Sequence, residues 1–244
     1  MEQIVFPNEN GNISTSIVKP EVDGSLRSLQ KDGPKLYIAV AGNIGTGKTT
    51  LTSMLSERYS WLPHFETVVD NPYLEDFYDD MNRWSFPIQI FFLNSRFRAH
   101  KMINSGVNSA IQDRSIYEDA HIFARNLHES GHMEKRDYLN YLELYKEMCS
   151  SLTPPDLLIY LRKSLPKLRK NIQTRGRGYE EKISDGYLSN LNRYYDEWIG
   201  SYSDGKVLVI DSDDLDFVKY NEDFEGICRR IESQFDQQEL FLFS

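Results

Sequence analysis

Eight residues, Gly42-Asn43-Ile44-Gly45-Thr46-Gly47-Lys48-Thr49, fit the pattern G-x-x-x-x-G-K-[ST]. The pattern constrains the fold because its chemistry needs a strand before it and a helix after it. Both are predicted. Residues 36–41, Leu-Tyr-Ile-Ala-Val-Ala, form a short apolar run that reads as a buried strand. Residues 48–59 place Leu51, Met54 and Leu55 on one helical face. The glycines allow a tight turn in which successive N–H groups converge on phosphate oxygens, and the helix N-terminus favours anions. Lys48 then reaches the β- and γ-phosphates, and the Thr49 hydroxyl can ligate Mg²⁺. A plain glycine-rich turn would explain the glycines but not the adjacent Lys-Thr pair.

Further strands are expected at about Phe65–Val69, Val107–Gln112, Asp156–Leu161 and Lys206–Ile210. Helices are expected over Trp84–Ile103, Ile116–Leu127, Tyr138–Met148, a segment up to Gln173, Tyr187–Tyr202 and residues 222–235. Alternating strands and helices imply an α/β fold, a parallel sheet of about five strands with helices on both faces. Residues 1–34 are rich in Gly, Ser, Asn and Pro and lack periodicity. They read as a flexible extension, with a regulatory arm as the alternative. Residues 35–236 form the expected domain, and residues 237–244 a short tail.

Three constellations carry chemistry. Glu66, 18 residues beyond Lys48, falls near the end of the second expected strand. There the ligand crevice of an open α/β sheet lies, so its carboxylate either accepts a hydroxyl proton or is simply a solvent-exposed strand end. Asp113-Arg114-Ser115 ends the strand expected beside the phosphate-loop strand. Asp113 can hold Mg²⁺ directly or through water, and Arg114 can bridge the donor phosphate and nearby carboxylates. The competing reading is a strand-to-helix turn with Ser115 as N-cap. Finally, Lys163, Lys167, Arg169, Lys170, Arg175 and Arg177 lie close together with no acidic residue between them. Arg175 and Arg177 flank Gly176 in an expected loop, as in a lid that closes on a transferring phosphoryl group.

Taken in order, these residues resemble the deoxynucleoside kinase family, particularly its bacterial-type purine deoxynucleoside kinases. The resemblance runs over roughly residues 36–235 and rests on Gly42–Thr50, Glu66, Asn71–Glu75, Tyr78, Arg83–Phe86, Gln89, Ser95–Arg98, Asp113–Asp119 and the Arg175-Gly176-Arg177 lid. It implies a P-loop NTPase-like sheet, ATP with Mg²⁺ as donor, and transfer to the 5′-hydroxyl of a 2′-deoxyribonucleoside, a purine by overall similarity. It places Glu66 as general base, Arg114 as partner of that carboxylate, and residues 42–50 with Arg175 and Arg177 around the donor phosphates. Tyr78 and Glu180 match sugar 3′-hydroxyl positions, Gln89, Arg96 and Asp119 base-recognition positions, and Phe123 a base-stacking aromatic. Read without the resemblance, Tyr78 and Phe123 are ordinary core aromatics and Gln89 a polar helix position. The sequence departs from the family where Asn171 replaces a lid arginine, with Lys170 or Arg169 as substitutes, and where Thr67 replaces a proline. The family is commonly dimeric, here through the helices over Trp84–Ile103 and Tyr138–Met148.

Two other functions compete. A monophosphate kinase resembling thymidylate kinases would need a cationic acceptor site, which Arg96 and Arg98 can form, but Glu66 would repel the acceptor phosphate. A nucleotide-binding module without transfer chemistry would fit the N-terminal segment and the apolar tail Leu240–Phe243. Composition narrows the setting. A net charge of −9 argues against a coat for nucleic-acid polymers or an acidic membrane. Two distant cysteines, Cys149 and Cys228, make no disulfide framework or zinc site. No apolar run approaches the roughly 20 residues of a membrane span, and no secretory signal is visible. A cytoplasmic protein is expected, with small-molecule partners and a second copy of itself.

Overall fold

The computed structural model describes residues 35–66 and 71–235. The expected N-terminal extension, Thr67 and the C-terminal tail lie outside the described residues. Five parallel strands, β1 (Tyr37–Gly42), β2 (Leu62–His64), β3 (Ala110–Asp113), β4 (Leu157–Arg162) and β5 (Lys206–Asp211), run in the order β2-β3-β1-β4-β5. β1 is central because all six of its residues are buried. Its alternate side chains feed two cores. Ile38 and Val40 pack with Leu51 and Leu55 of α1 (Lys48–Tyr59) and with Ile227 and Ile231 of α8 (Asn221–Glu232). Tyr37, Ala39 and Ala41 face α3 (Met81–Ser105), α5 (Lys135–Cys149) and α7 (Asp185–Ser201). Each fully buried Ile or Leu contributes about 1.5–3 kcal/mol. Among the described residues, no helix is long and apolar enough to cross a membrane.

Several expected boundaries move. The second strand lies at residues 62–64, ahead of the expected 65–69: Phe65 falls past its end and is 47% exposed, and residues 67–69 lie outside the described residues. β3 starts at Ala110, with Val107 on the surface. Both corrections have one cause: an exposed apolar residue beside a short strand imitates the strand itself. α2 (Leu74–Asp79) was not expected; it buries Leu74 and Phe77, one helical turn apart. The helix expected over 116–127 is a π-helical turn, Asp119–Ala124, running into α4 (Arg125–Glu129). α6 (Leu165–Arg175) buries Leu168 and Ile172 and ends at Gly176. Arg175 therefore sits on its last turn, not in a loop. A 3₁₀ turn, Gly178–Lys182, follows.

Candidate active site

The phosphate loop leaves β1 at the point where the chain order reverses across the sheet, between β3 and β4. Crevices at such points bind ligands. Gly47, at φ +98°, turns the chain into α1 in a conformation that a side chain would strain. Lys48 Nζ donates back across the loop to the Asn43 carbonyl at 2.9 Å, as does the Thr46 hydroxyl at 3.0 Å. The loop is anchored from outside. Asn43 Nδ2 donates to the Leu188 carbonyl (2.9 Å) and to Asn192 Oδ1 (2.7 Å), both on α7. Asn171 Nδ2 on α6 donates to the Gly45 carbonyl at 2.7 Å. Burial, then the neighbouring Arg114 charge, lowers the Lys48 pKa to about 8.

A cavity of about 290 Å³ opens beside this loop. Ile44, Gly45, Lys48 and Thr49 line it next to the loop, with Arg175 from the last turn of α6 and Arg177 just beyond it. Gly42, Asn43, Thr46 and Gly47 complete the loop behind them. Thr50 is exposed on α1 and does not border the cavity.

Glu66, two residues past β2, is paired with Arg96 and lies 3.5 Å from Arg114 Nε. Burial alone would raise its pKa; Arg96, Arg114 and Lys48 outweigh burial and hold it at about 2. The exposed strand-end reading of Glu66 is therefore set aside, its side chain being 18% exposed and charged against two arginines. Arg114 adopts φ +67°, a rare conformation for a residue with a side chain. Asp113 accepts from the Thr49 hydroxyl at 2.5 Å through Oδ2.

The wall of the cavity away from the phosphate loop is formed by Tyr78, Gln89, Phe92, Arg96, Phe123 and Glu180. Asp119 stands behind this wall, fully buried and paired with Arg96. Gln89 Oε1, Arg96 Nε and Asp119 Oδ2 are buried without hydrogen-bond partners. Three polar atoms in that state are costly unless a ligand completes them. Phe123 lies under the Arg114 guanidinium, 4.5 Å from its ring centre. Glu180 is not free: Arg175 grips it with bonds of 2.6–3.0 Å, and Arg177 lies at 3.6 Å. Arg175 and Arg177 thus face the cavity while neutralised by the Glu180 carboxylate on the opposite wall. Arg169 is held by Asp185 and the Ile183 carbonyl, and Lys170 is exposed, so neither supplies a third cation to the cavity.

Five of the residues at the site went unassigned in the sequence, Phe92 of the cavity wall among them. Tyr179 stacks on Tyr78 at 5.8 Å, and both Tyr179 and Tyr187 line the cavity. Tyr195 and Glu118 reach Arg114 from behind. Glu118 carried a legible signal, because Ser115-x-x-Glu118 is a capping-box pattern. Half the box is present: Glu118 Oε1 accepts from the Ser115 N–H at 2.8 Å. The Ser115 hydroxyl has no partner and does not cap.

The residues suit Mg²⁺. Asp113 Oδ1 is buried without a partner beside the Thr49 hydroxyl, two hard oxygen ligands of the kind the ion takes. Among the described residues no cluster of three or more His, Cys, Asp or Glu could hold a metal. Phosphate and water would therefore supply the remaining ligands.

A phosphate loop at the switch point of a parallel sheet, facing an ionised carboxylate across an arginine-lined cavity, defines a phosphotransferase of the P-loop class. Comparison with known proteins narrows this. The family model for deoxynucleoside kinases matches residues 38–236. The deoxyadenosine/deoxycytidine kinase of Bacillus subtilis (strain 168) is 40% identical over 200 residues, covering 80% of this chain and 91% of that one. The deoxyguanosine kinase of Lactobacillus johnsonii is 37% identical over 203 residues, covering 80% and 90%. A solved deoxyadenosine kinase from M. mycoides with bound dATP superposes with a TM-score of 0.72 at 29% identity, covering 80% of this chain and 98% of its own. The chain belongs to the deoxynucleoside kinase family and is a kinase. That membership decides against the thymidylate-kinase-like and non-catalytic alternatives.

Proposed function

We propose that this kinase moves the γ-phosphoryl group of ATP to the 5′-hydroxyl of a deoxynucleoside, a purine first of all, in nucleotide salvage. The observation that carries the reading is Glu66, ionised and pinned by two arginines, between the phosphate-loop cations and the unpartnered atoms Gln89 Oε1, Arg96 Nε and Asp119 Oδ2. The names of the relatives, deoxyadenosine, deoxycytidine and deoxyguanosine kinases, support the acceptor class.

In this mechanism Lys48 and the loop amides hold the β- and γ-phosphates, and Arg114, Arg175 and Arg177 balance charge on the moving group. Arg175 and Arg177 must first leave Glu180, which is then free to accept from the sugar 3′-hydroxyl beside Tyr78. Gln89, Arg96 and Asp119 read the base edge, and Phe123 supports its face. Mg²⁺ held by Thr49 and Asp113 would neutralise charge across the β- and γ-phosphates. A bond forms between the 5′-oxygen and γ-phosphorus, the bond from γ-phosphorus to the β–γ bridging oxygen breaks, and ADP leaves. The hydroxyl proton passes to Glu66. A carboxylate held near a pKa of 2 is a weak base, so the transfer is late, when the new P–O bond has made the hydroxyl strongly acidic.

Steady-state kinetics with the four deoxynucleosides and Mg-ATP test the assignment. Deoxyadenosine or deoxyguanosine should give the highest kcat/KM, with the 5′-monophosphate as product. Phosphorylation of monophosphates but not nucleosides would refute it. The Glu66 charge can be checked separately. The carboxyl ¹³C resonance that disappears in Glu66→Gln should not shift between pH 7 and about pH 4, because a depressed pKa keeps the group ionised there. Its contribution to stability should be lost only as pH falls from the ordinary glutamate value toward about 2. An inflection near 4.5 would show that the arginines do not hold it.

The reading extends to assembly and setting. Met102 on α3 and Leu139 and Leu144 on α5 are exposed apolar residues on the helices expected to pair two copies. Sedimentation should give twice the chain mass. The domain, residues 35–236, would act in the cytoplasm, which suits free Cys149 and Cys228, the thiol of Cys149 being pushed up to about 11 by burial.

A further inference from the structure

Glu118 has no place in the mechanism so far, yet it is fully buried directly behind Arg114, which lines the cavity. Four donors converge on its carboxylate: the Ser115 N–H at 2.8 Å, the Tyr195 hydroxyl at 2.6 Å, the Gly42 N–H at 3.3 Å and Arg114 Nη1 at 3.3 Å. Three of them, the Gly42 N–H, Arg114 Nη1 and the Tyr195 hydroxyl, meet on Oε2, and the Ser115 N–H takes Oε1, so both oxygens are engaged. Its donors come from three places that must be in register for phosphoryl transfer. Gly42 begins the phosphate loop, Ser115 follows the turn made by Arg114, and Tyr195 belongs to α7.

The same contacts orient Arg114. Nη1 is taken by Glu118 and, at 2.7 Å, by the Tyr195 hydroxyl. Nε is left toward Glu66, and Phe123 covers one face of the guanidinium. Tyr195 cannot swing aside, because it stacks on Tyr160 of β4 with ring centres 5.5 Å apart. The Arg114 backbone, in its left-handed conformation, is held by its own N–H to the Val40 carbonyl at 3.0 Å and by Glu118 on the next N–H. One carboxylate thus fixes both the backbone turn and the far edge of the arginine.

We propose that Glu118, supported by Tyr195, is a positioning residue for phosphoryl transfer: it aims Arg114 at the transferring group and sets it in register with the phosphate loop. The proposal rests on the role of Arg114 given above. An amide at position 118 has a single acceptor oxygen and an NH₂ that must oppose at least one of the four donors. The substitution Glu118→Gln therefore keeps the shape and loosens the aim.

The test is a double-mutant cycle with Arg114→Lys, using Mg-ATP and whichever of the four deoxynucleosides the native enzyme turns over fastest. Glu118→Gln should lower kcat by about 10²-fold, the scale of a small misplacement of a reacting group. Both KM values should stay within about two-fold, because ground-state binding is not what is lost. In the Arg114→Lys background the same substitution should lower kcat by less than about three-fold, because the group it aims is gone. Equal losses in both backgrounds, or native turnover in Glu118→Gln, overturn the proposal and leave the role of Arg114 standing. Unimpaired turnover in Arg114→Lys alone refutes that role, and the proposal with it. If circular dichroism shows that Glu118→Gln does not fold, Tyr195→Phe replaces it, with about a ten-fold loss expected and the same criterion applied.

Discussion

Glu66→Gln is expected to lower turnover by about 10²–10⁴-fold while deoxynucleoside binding, measured by calorimetry, changes little. The amide cannot take the hydroxyl proton and no longer offsets the two arginines. The fold should survive, because neither arginine is stranded: Arg96 keeps Asp119, and Arg114 keeps Glu118 and Tyr195. Near-native turnover would remove Glu66 from the mechanism. A large loss of affinity would mean that Glu66 mainly shapes the pocket through Arg96.

Gly42→Ala is expected to be the most damaging single methyl in the molecule. Gly42 sits at φ +150°, and a Cβ there would lie 2.7 Å from the Leu161 carbonyl oxygen and 2.9 Å from the Thr46 hydroxyl. Leu161 is its partner in the central β1–β4 ladder, so the carbonyl cannot retreat without breaking the sheet. Strained backbone and overpacking each cost about 1–3 kcal/mol, so a loss of about 2–5 kcal/mol is expected, read as a lower urea midpoint with an unchanged slope. A native midpoint would mean that the turn from strand to loop is softer than its contacts indicate.

The parts legible in the sequence were those where local pattern and buried environment agree. β1, α1 and β4 were readable because their apolar runs are the core itself. The phosphate loop was readable because its chemistry fixes residue type and spacing. Strand boundaries and short elements were not: Phe65 past β2 and Val107 before β3 supply apolar pattern without burial, and α2 is too short for periodicity to show. The acceptor residues came through family motifs, since Tyr78 and Phe123 look like any core aromatic. What no motif carried was pairing. That Glu180 neutralises both Arg175 and Arg177, that Asn171, where the family has an arginine, anchors the phosphate loop, and that Glu118 gathers four donors are facts of tertiary contact.

The π-helical turn at Asp119–Ala124 has a consequence for how such a pocket can change over time. A π turn holds one residue more than an α turn, and each residue advances a helix by about 100°. The extra residue lets one helical run meet two angular demands. Asp119 and Phe123 serve the acceptor wall, while Asn126 and Leu127 beyond them are turned into the interior. A single-codon insertion or deletion in this stretch would re-index the wall against the core in one step, leaving the sheet and phosphate loop untouched. The shape of this cavity wall can therefore change by length as well as by substitution.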